Sequence, residues 1–400
     1  MTNRSLHAVL MERTGPRLLD LLAAALDGSG PAIAPLDASL PPARLAALVE
    51  ALAPASVEGP DGVTTPRSGQ KIEVTEGTAV IVPTSGSTGV PKGVELSAAA
   101  LLFSARASLA RIGARPGERW LCCLPGTYIA GIQVLVRSLV SGTDPVLADH
   151  ADPGTVAASG CAYVSLVPTQ LKRLLDVDMS PLAGFRSVLL GGAAAPAGLL
   201  DAARAARVPV VTTYGMTETC GGCVYDGIPL DGARIKIGDD DRIWLSGPML
   251  FSGYLGGPPA PGDGWLRSGD LGRLDSAGRL TVRGRADDVI NTGGSMVVPG
   301  EVAAALQTCP GVGDVAVLGQ PDPEWGERVV AVVVPADPAD PPTLEMLRLH
   351  VKERLPRYAA PSRIVMVDAV PALPNGKHDL VRLRRELLPR EQTEAENVTY

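Results

Sequence analysis

Short runs of Val, Leu and Ile alternate with stretches whose apolar residues recur at helical spacing, most densely between residues 78 and 213. This predicts strands over 78–83, 118–124, 162–167, 187–190 and 209–213, with helices over 98–111, 129–139, 170–175 and 197–206 between them. Brief apolar strands separated by helices imply parallel pairing, with the helices packed on the faces of the sheet. Ahead of this series the pattern gives two short helices, 17–26 and 43–53, joined by a Pro/Gly-rich turn, then a polar loop over 54–77. After Tyr225 short strands at 233–237, 242–245 and 279–282 are divided by Asp/Gly turns, the mark of a mostly antiparallel β-unit. A third pattern starts near residue 288, with helix 300–308, strands 314–318 and 328–334, helix 343–355, strand 363–367 and helix 379–388. The last dozen residues are polar and read as a frayed end. The expected fold is α/β. A large N-terminal domain, residues 1–286, carries parallel-strand layers plus the β-unit, and residues 287–400 form a small mobile α+β domain.

Composition narrows the function classes. With 400 residues, 46% of them hydrophobic, the chain can bury a sizeable core in two or three folding units. A net charge of −7 and the lack of any Lys/Arg block argue against a nucleic-acid partner, and 4% aromatic residues argue against stacking platforms for single strands. No apolar run approaches the ~20 residues that span a bilayer. The run 17–26 is broken by Asp20 and reads as an amphipathic helix rather than a signal peptide. Six cysteines make no disulfide framework, so the expected location is the reducing cytoplasm.

Directly behind the strand at 78–83 comes Thr84-Ser85-Gly86-Ser87-Thr88-Gly89-Val90-Pro91-Lys92-Gly93. Its glycines let the backbone turn and approach an anion, Thr84, Ser85, Ser87 and Thr88 add hydroxyl donors, and Lys92 adds a positive charge. No Gly-Lys-Ser/Thr follows at Walker spacing. Alone, the stretch reads equally as a phosphate cradle or a flexible surface loop. Tyr214-Gly215-Met216-Thr217-Glu218-Thr219 follows the strand at 209–213, at the edge where parallel sheets bind ligands. A tyrosine can stack on a base, a threonine can donate to a phosphate, and a carboxylate can hold Mg²⁺. By itself the segment is also a turn with a solvated Glu218. Gly191-Gly192-Ala193-Ala194 permits close backbone approach to a flat ligand. Asp270 can accept two hydrogen bonds from a ribose diol, and Arg285 can clamp phosphate or ribose oxygens. Lys377, in Asn375-Gly376-Lys377, is a mobile point charge suited to charge developing at a phosphoryl group.

In order and content these stretches resemble the signature motifs of the adenylate-forming superfamily of acyl-CoA synthetases, over about residues 78–388. Leu124-Pro125, Ile129-Ala130-Gly131-Ile132-Gln133 with Arg137, the run 165–171 and the run 189–194 further resemble the o-succinylbenzoate–CoA ligases of menaquinone biosynthesis. The resemblance implies an ATP-dependent acid–CoA ligase, with ATP, Mg²⁺ and coenzyme A as the small molecules it handles. It sets Thr84, Ser85, Gly86, Ser87, Thr88 and Gly89 on the β/γ-phosphates with Lys92 close by. Gly191, Gly192 and Tyr214 flank the adenine, Gly215 and Met216 count among the cofactor-binding residues, Thr217 falls at the α-phosphate, and Glu218 on Mg²⁺. Asp270 and Arg285 match the ribose contacts, and Lys377 matches the adenylation lysine. Gln133, Arg137, Thr169 and Ala193 fall where the acid would bind. Asp287 matches the hinge, and Gly294 the glycine lining the pantetheine tunnel. The implied cycle has the small domain rotate about Asp287 after adenylation to admit the CoA thiol. Two features depart from the pattern: the region ahead of the glycine loop is shorter than in most of the superfamily, and position 291, frequently lysine, is Asn291.

Other residues carry plainer expectations. Cys220 and Cys223 have CxxC spacing without a second pair, which points to packing rather than zinc. His378 reads as solvated. The unreacted aromatic carboxylate of o-succinylbenzoate needs a cation, for which Arg137 is the candidate with Lys172 and Arg173 behind it. A lone helical arginine is equally a structural ion pair. The partners expected are small molecules, with no nucleic acid and no membrane insertion, and a homodimer is the assembly to test. Rival readings are a ligase for another aryl or acyl acid, a stand-alone domain that loads a carrier protein, and a silent nucleotide-binding regulator.

Overall fold

The computed structural model describes residues 4–68, 72–85, 91–178, 180–372 and 378–387. By its internal contacts the chain divides into two units, residues 1–195, 199–268 and 274–281 in one and residues 196–198, 269–273 and 282–400 in the other. Among the described residues no helix is long and apolar enough to cross a membrane.

The larger unit opens with β1 (Leu6–Met11), α1 (Pro16–Asp27), β2 (Ala32–Asp37), α2 (Pro42–Leu52), β3 (Ser56–Glu58) and β4 (Thr64–Pro66). Then come β5 (Thr78–Ser85) and β6 (Pro91–Ser97), and the six strands share one sheet in the order β6-β5-β2-β1-β3-β4. β1 is parallel to β2 and β3, and β2 is parallel to β5. Two expectations are corrected here. The first fifty residues are not helices alone, because β1 and β2 form a parallel layer with them. Leu6, Ala8, Ile33 and Ala34 are fully buried, and a strand covered on both faces shows no alternation. The short N-terminal region therefore still builds a layer of sheet. Nor does the glycine loop lead straight into a helix. β6 runs back antiparallel along β5, from Thr78 opposite Ser97 to Ser85 opposite Pro91, so the described ends of the glycine stretch lie on paired strands.

The second sheet follows the predicted alternation. α3 (Ala98–Arg111) is capped by Ser97, whose hydroxyl accepts from the Ala100 amide at 3.1 Å. β7 (Trp120–Cys122), α4 (Ile129–Ser141), β8 (Val146–Leu147), α5 (Pro153–Ala158), β9 (Tyr163–Leu166) and α6 (Pro168–Val177) come next. α7 (Ser180–Ala183), β10 (Ser187–Leu190), α8 (Ala197–Ala205) and β11 (Val210–Met216) complete the parallel series. The strand order is β8-β7-β9-β10-β11, extended antiparallel by β12 (Gly221–Tyr225) and β13 (Ile228–Pro229). One core joins the two sheets, uniting Ile33 and Val80 of the first with Trp120 and Tyr163 of the second around α1, α3 and α4.

β14 (Arg234–Ile237), β15 (Arg242–Ser246), β17 (Leu266–Leu274) and β18 (Leu280–Arg285) form a four-stranded sheet, whereas β16 (Gly253–Tyr254) returns to pair with β6. β17 falls between the expected strands at 242–245 and 279–282, where no strand was expected, and it carries Ser268-Gly269-Asp270 as extended backbone. In the smaller unit β19 (Ile290–Thr292), β20 (Ser295–Val297), β21 (Val312–Asp322), β22 (Gly326–Pro335) and β23 (Arg363–Met366) form the sheet. α9 (Pro299–Leu306), α10 (Leu344–Lys352) and α11 (Leu380–Leu387) bury Val302, Leu306, Leu347, Val351 and Leu383 into its two core clusters.

Candidate active site

Strands β9, β10 and β11 run parallel and in register, so the residues that follow them gather at one sheet edge. Gly191 and Gly192 leave β10 against Thr213 of β11. A Cβ on Gly191 would lie 2.2 Å from the Thr213 hydroxyl, and Gly192 has φ +84°. In β11 the pairing with β12 shifts register between Tyr214 and Gly215, and a Cβ on Gly215 would lie 2.0 Å from the Gly221 carbonyl oxygen. Gly215 is thus demanded by a backbone contact and Gly191 by the Thr213 side chain. Thr169, in the first turn of α6, and Ala193 are half-buried at the same edge.

Beyond Met216 the chain makes a single 3₁₀ turn, Thr217–Thr219. The buried Thr219 hydroxyl holds it, accepting from the Met216 amide at 2.9 Å and donating to the Gly221 carbonyl at 2.7 Å. The turn leaves Thr217 and Glu218 half-buried beside the sheet edge. The Tyr254 hydroxyl donates to Glu218 Oε1 at 3.0 Å, and burial, then the Glu218 charge, push that phenol up to about 12. Tyr254 escaped the reading of the sequence, since nothing in Phe251-Ser252-Gly253-Tyr254 signals a partner 36 residues upstream.

On the hairpin, Thr84 donates to the Lys92 carbonyl at 3.3 Å, and the exposed Lys92 ammonium lies 5.4 Å from the Tyr254 ring centroid. Gly86, Ser87, Thr88, Gly89, the Ser85 side chain and Lys377 lie outside the described residues.

Helix α4 approaches from the side. A Cβ on Gly131 would lie 2.2 Å from the Pro125 carbonyl oxygen, so glycine lets the helix start tight against that turn. Gln133 faces Gly221. Its amide donates to the Leu101 carbonyl at 3.4 Å, and its buried Oε1 has no hydrogen-bond partner among the described residues. One turn further along the same face, Arg137 is 5% exposed. Its guanidinium donates to Ser165 Oγ at 3.0 Å and to Ser108 Oγ at 3.4 Å and lies 4.3 Å from the Trp120 ring centroid. Its Nε is unsatisfied, and no ion pair to it is found among the described residues. Burial pushes the guanidinium below its ordinary value, against the opposing influence of Tyr225 and Cys122. Among the described residues, then, no carboxylate makes the structural ion pair that was the alternative. Lys172 and Arg173, the next candidates, are both exposed, and Lys172 pairs with Asp176 at 3.0 Å.

In the smaller unit, Arg285 donates to Asp270 Oδ1 at 3.1 Å and to Asp287 Oδ2 at 3.3 Å. Burial works to lower that guanidinium, and Asp270, Asp287 and Asp288 outweigh it, holding it above its ordinary value. Gly293 and Gly294 turn the hairpin between β19 and β20 with φ +56° and +77°, as a two-residue loop requires, and open space surrounds the Gly294 Cβ position. The Asn291 backbone N–H donates to Glu327 Oε2 at 2.9 Å. His378 is not simply solvated: Nε2 lies 3.2 Å from Asp314 Oδ2, and the residue bridges to Ala372. Cys220 and Cys223 are buried in core clusters, as the packing reading has it.

Comparison with known proteins agrees with this arrangement. The AMP-binding enzyme family matches residues 37–255, and the AMP-binding enzyme C-terminal domain matches residues 301–377. A probable 2-succinylbenzoate–CoA ligase of Mycobacterium tuberculosis is 45% identical over 335 residues, covering 80% of this chain and 86% of that protein. The o-succinylbenzoate CoA synthetase of Bacillus subtilis, solved with the acyl-adenylate intermediate OSB-AMP, superposes with a TM-score of 0.81 at 27% identity, covering 98% of this chain and 89% of that one. The same Bacillus subtilis enzyme solved with ATP and magnesium ion gives 0.80 at 26% identity, covering 97% and 90%. The Thr84–Gly93 stretch, the Tyr214–Glu218 turn and the parallel sheet edge that leads into that turn all fall inside the first matched span, and the chain belongs to the family of AMP-binding enzymes.

Proposed function

We propose that the chain is an ATP-dependent acid–CoA ligase whose acid is o-succinylbenzoate, and that Arg137 receives the carboxylate that does not react. The observation that carries this reading is a buried guanidinium with no ion-pair partner among the described residues, held by two serine hydroxyls and a tryptophan face with Tyr225 close by. A buried charge without a counter-ion is costly, and an anionic ligand would relieve the cost. From Gln133 to Arg137 helix α4 rises about 6 Å. An acid entering near Gly221 and Glu218 could thus run along α4 with one carboxylate at the nucleotide and the other at Arg137. The named activities of the relatives above support the same substrate.

The chemistry asks little of the chain beyond positioning and charge. The attacking carboxylate is already ionised at neutral pH, so no general base is needed. Thr217 is set to donate to an α-phosphate oxygen, while the hydroxyls of the glycine stretch and Lys92 retain the leaving pyrophosphate. Glu218 fits a divalent cation: its Oε1 takes the Tyr254 hydrogen bond, and Oε2 has no hydrogen-bond partner among the described residues. Mg²⁺ bound there would offset negative charge on the phosphate oxygens. The resemblance carries the ribose role to Asp270 and Arg285 and the adenylation role to Lys377.

Pyrophosphate release with ATP, Mg²⁺ and CoA, measured across o-succinylbenzoate, benzoate, salicylate and medium-chain fatty acids, tests this function. Strong turnover is expected only with o-succinylbenzoate. Arg137→Ala should raise KM for that acid by roughly 10–100-fold with a smaller change in kcat, as loss of a charged hydrogen-bonding anchor predicts. An unchanged KM removes Arg137 from the site, and preferred turnover of another acid replaces the substrate.

A further inference from the structure

The segment from Phe251 to Leu255 is stitched to both halves of the proposed phosphate end. The Phe251 amide donates to the Glu218 carbonyl at 2.9 Å. The Ser252 amide donates to Glu95 and the Leu255 amide to Gly93, at 2.9 and 2.8 Å, and Tyr254 sits opposite Val94 in β6. Tyr254 is therefore fixed by its own strand, packed edge-on against Phe251 with ring centroids 5.1 Å apart. From that position its two ends serve different neighbours. The hydroxyl donates to Glu218 at 3.0 Å, and the ring face lies 5.4 Å from the Lys92 ammonium.

We infer that Tyr254 is a positioning residue that couples the carboxylate of the 3₁₀ turn to the lysine of the glycine hairpin, its hydroxyl aiming Glu218 and its ring placing Lys92. A carboxylate with one oxygen occupied by a fixed donor presents the other in a single orientation, as hydrogen bonds to metal-ligating groups commonly ensure. The ring would also hold Lys92 near the glycine stretch before nucleotide arrives, lowering the ordering cost on binding. This inference rests on the reading of Glu218 as the cation ligand.

The two roles separate by substitution. Tyr254→Phe keeps the ring and its packing and loses the hydroxyl, whereas Tyr254→Leu loses both. ATP binding followed calorimetrically with and without Mg²⁺, together with the Mg²⁺ dependence of pyrophosphate release, reads each role, and Glu218→Gln serves as reference. For Tyr254→Phe the expected result is unchanged metal-free ATP affinity and a rise of about tenfold in the Mg²⁺ concentration giving half-maximal effect, the usual scale for an outer-shell partner. Tyr254→Leu should in addition weaken metal-free ATP binding. Wild-type Mg²⁺ dependence in Tyr254→Phe, with a shifted Glu218→Gln, overturns the inference. So does a Tyr254→Phe protein in which metal-free binding and melting temperature fall together, which marks a merely structural tyrosine. No shift in Glu218→Gln overturns the cation reading itself and takes the inference with it.

Discussion

Gly215 and Gly221 lie back to back where β11 and β12 diverge around the Thr217–Thr219 turn. A methyl group on Gly215 would sit 2.0 Å from the Gly221 carbonyl, with backbone on the far side that cannot swing away. Gly215→Ala should therefore destabilise the fold by about 1–3 kcal/mol, as overpacking does, and displace Thr217 and Glu218 together. Denaturant unfolding and pyrophosphate release, run side by side, should show activity lost well before stability. The sequence placed this glycine in a ligand-binding stretch but held no hint of why glycine is required, because the reason is a contact across a bulge. Tyr254 and the His378–Asp314 pair were illegible for a related reason. Each acts through a partner that only the fold brings near.

Between elements, β1, β3 and α1 are tied by a polar cluster. His7 reaches Ser56 at 2.8 Å and Glu58 at 3.3 Å, while Arg17 donates to both Glu58 oxygens at 3.0 and 2.9 Å. The Arg17 hydrogen bonds, against burial and with help from His7, hold the Glu58 carboxyl below its ordinary range. The sign follows from linkage: a carboxyl depressed by folding adds stability above its unfolded value of about 4.3, and that stability fades as pH falls through the lower folded value. Glu58→Gln should thus cost about 1–3 kcal/mol at pH 7, the scale of an unsatisfied buried partner, with a gap to wild type that narrows below pH 4. Urea midpoints measured from pH 3 to 7 would check it. These strands were also the least legible part of the fold. The series from 78 to 213 declared itself through strands and helices of contrasting period, whereas β1 and β2 are short, buried on both faces and, in β2, interrupted by Pro35.

Across the whole molecule, the two units carry different motifs, the glycine hairpin and the Tyr214–Glu218 turn in the larger and the Asp270–Arg285 pair and Lys377 in the smaller. That separation gives the two half-reactions different sensitivities. Lys377→Ala should lower acid adenylation by roughly 10²–10³, the usual loss for a charge-stabilising donor, while thioester formation from supplied acyl-adenylate and CoA stays near wild type. Single-turnover assays of each half would show it. The overall plan was legible where a motif follows an expected strand, as Thr84, Gly191 and Tyr214 do. The division of labour between units, in contrast, rests on resemblance, since spacing along a chain says nothing of which unit a loop joins. One property of the whole chain bears on the intermediate itself. All six cysteines are buried, and burial pushes Cys122 up to about 11 and Cys123 and Cys223 up to about 12. Two of the six, Cys220 and Cys223, follow Glu218 within five residues. An acyl-adenylate is a mixed anhydride that seeks a thiolate, and a thiol kept protonated in apolar surroundings is inert. On the proposed function, the activated acyl group therefore meets no ready thiolate among these six, and the sulfur that receives it is the one that arrives from outside.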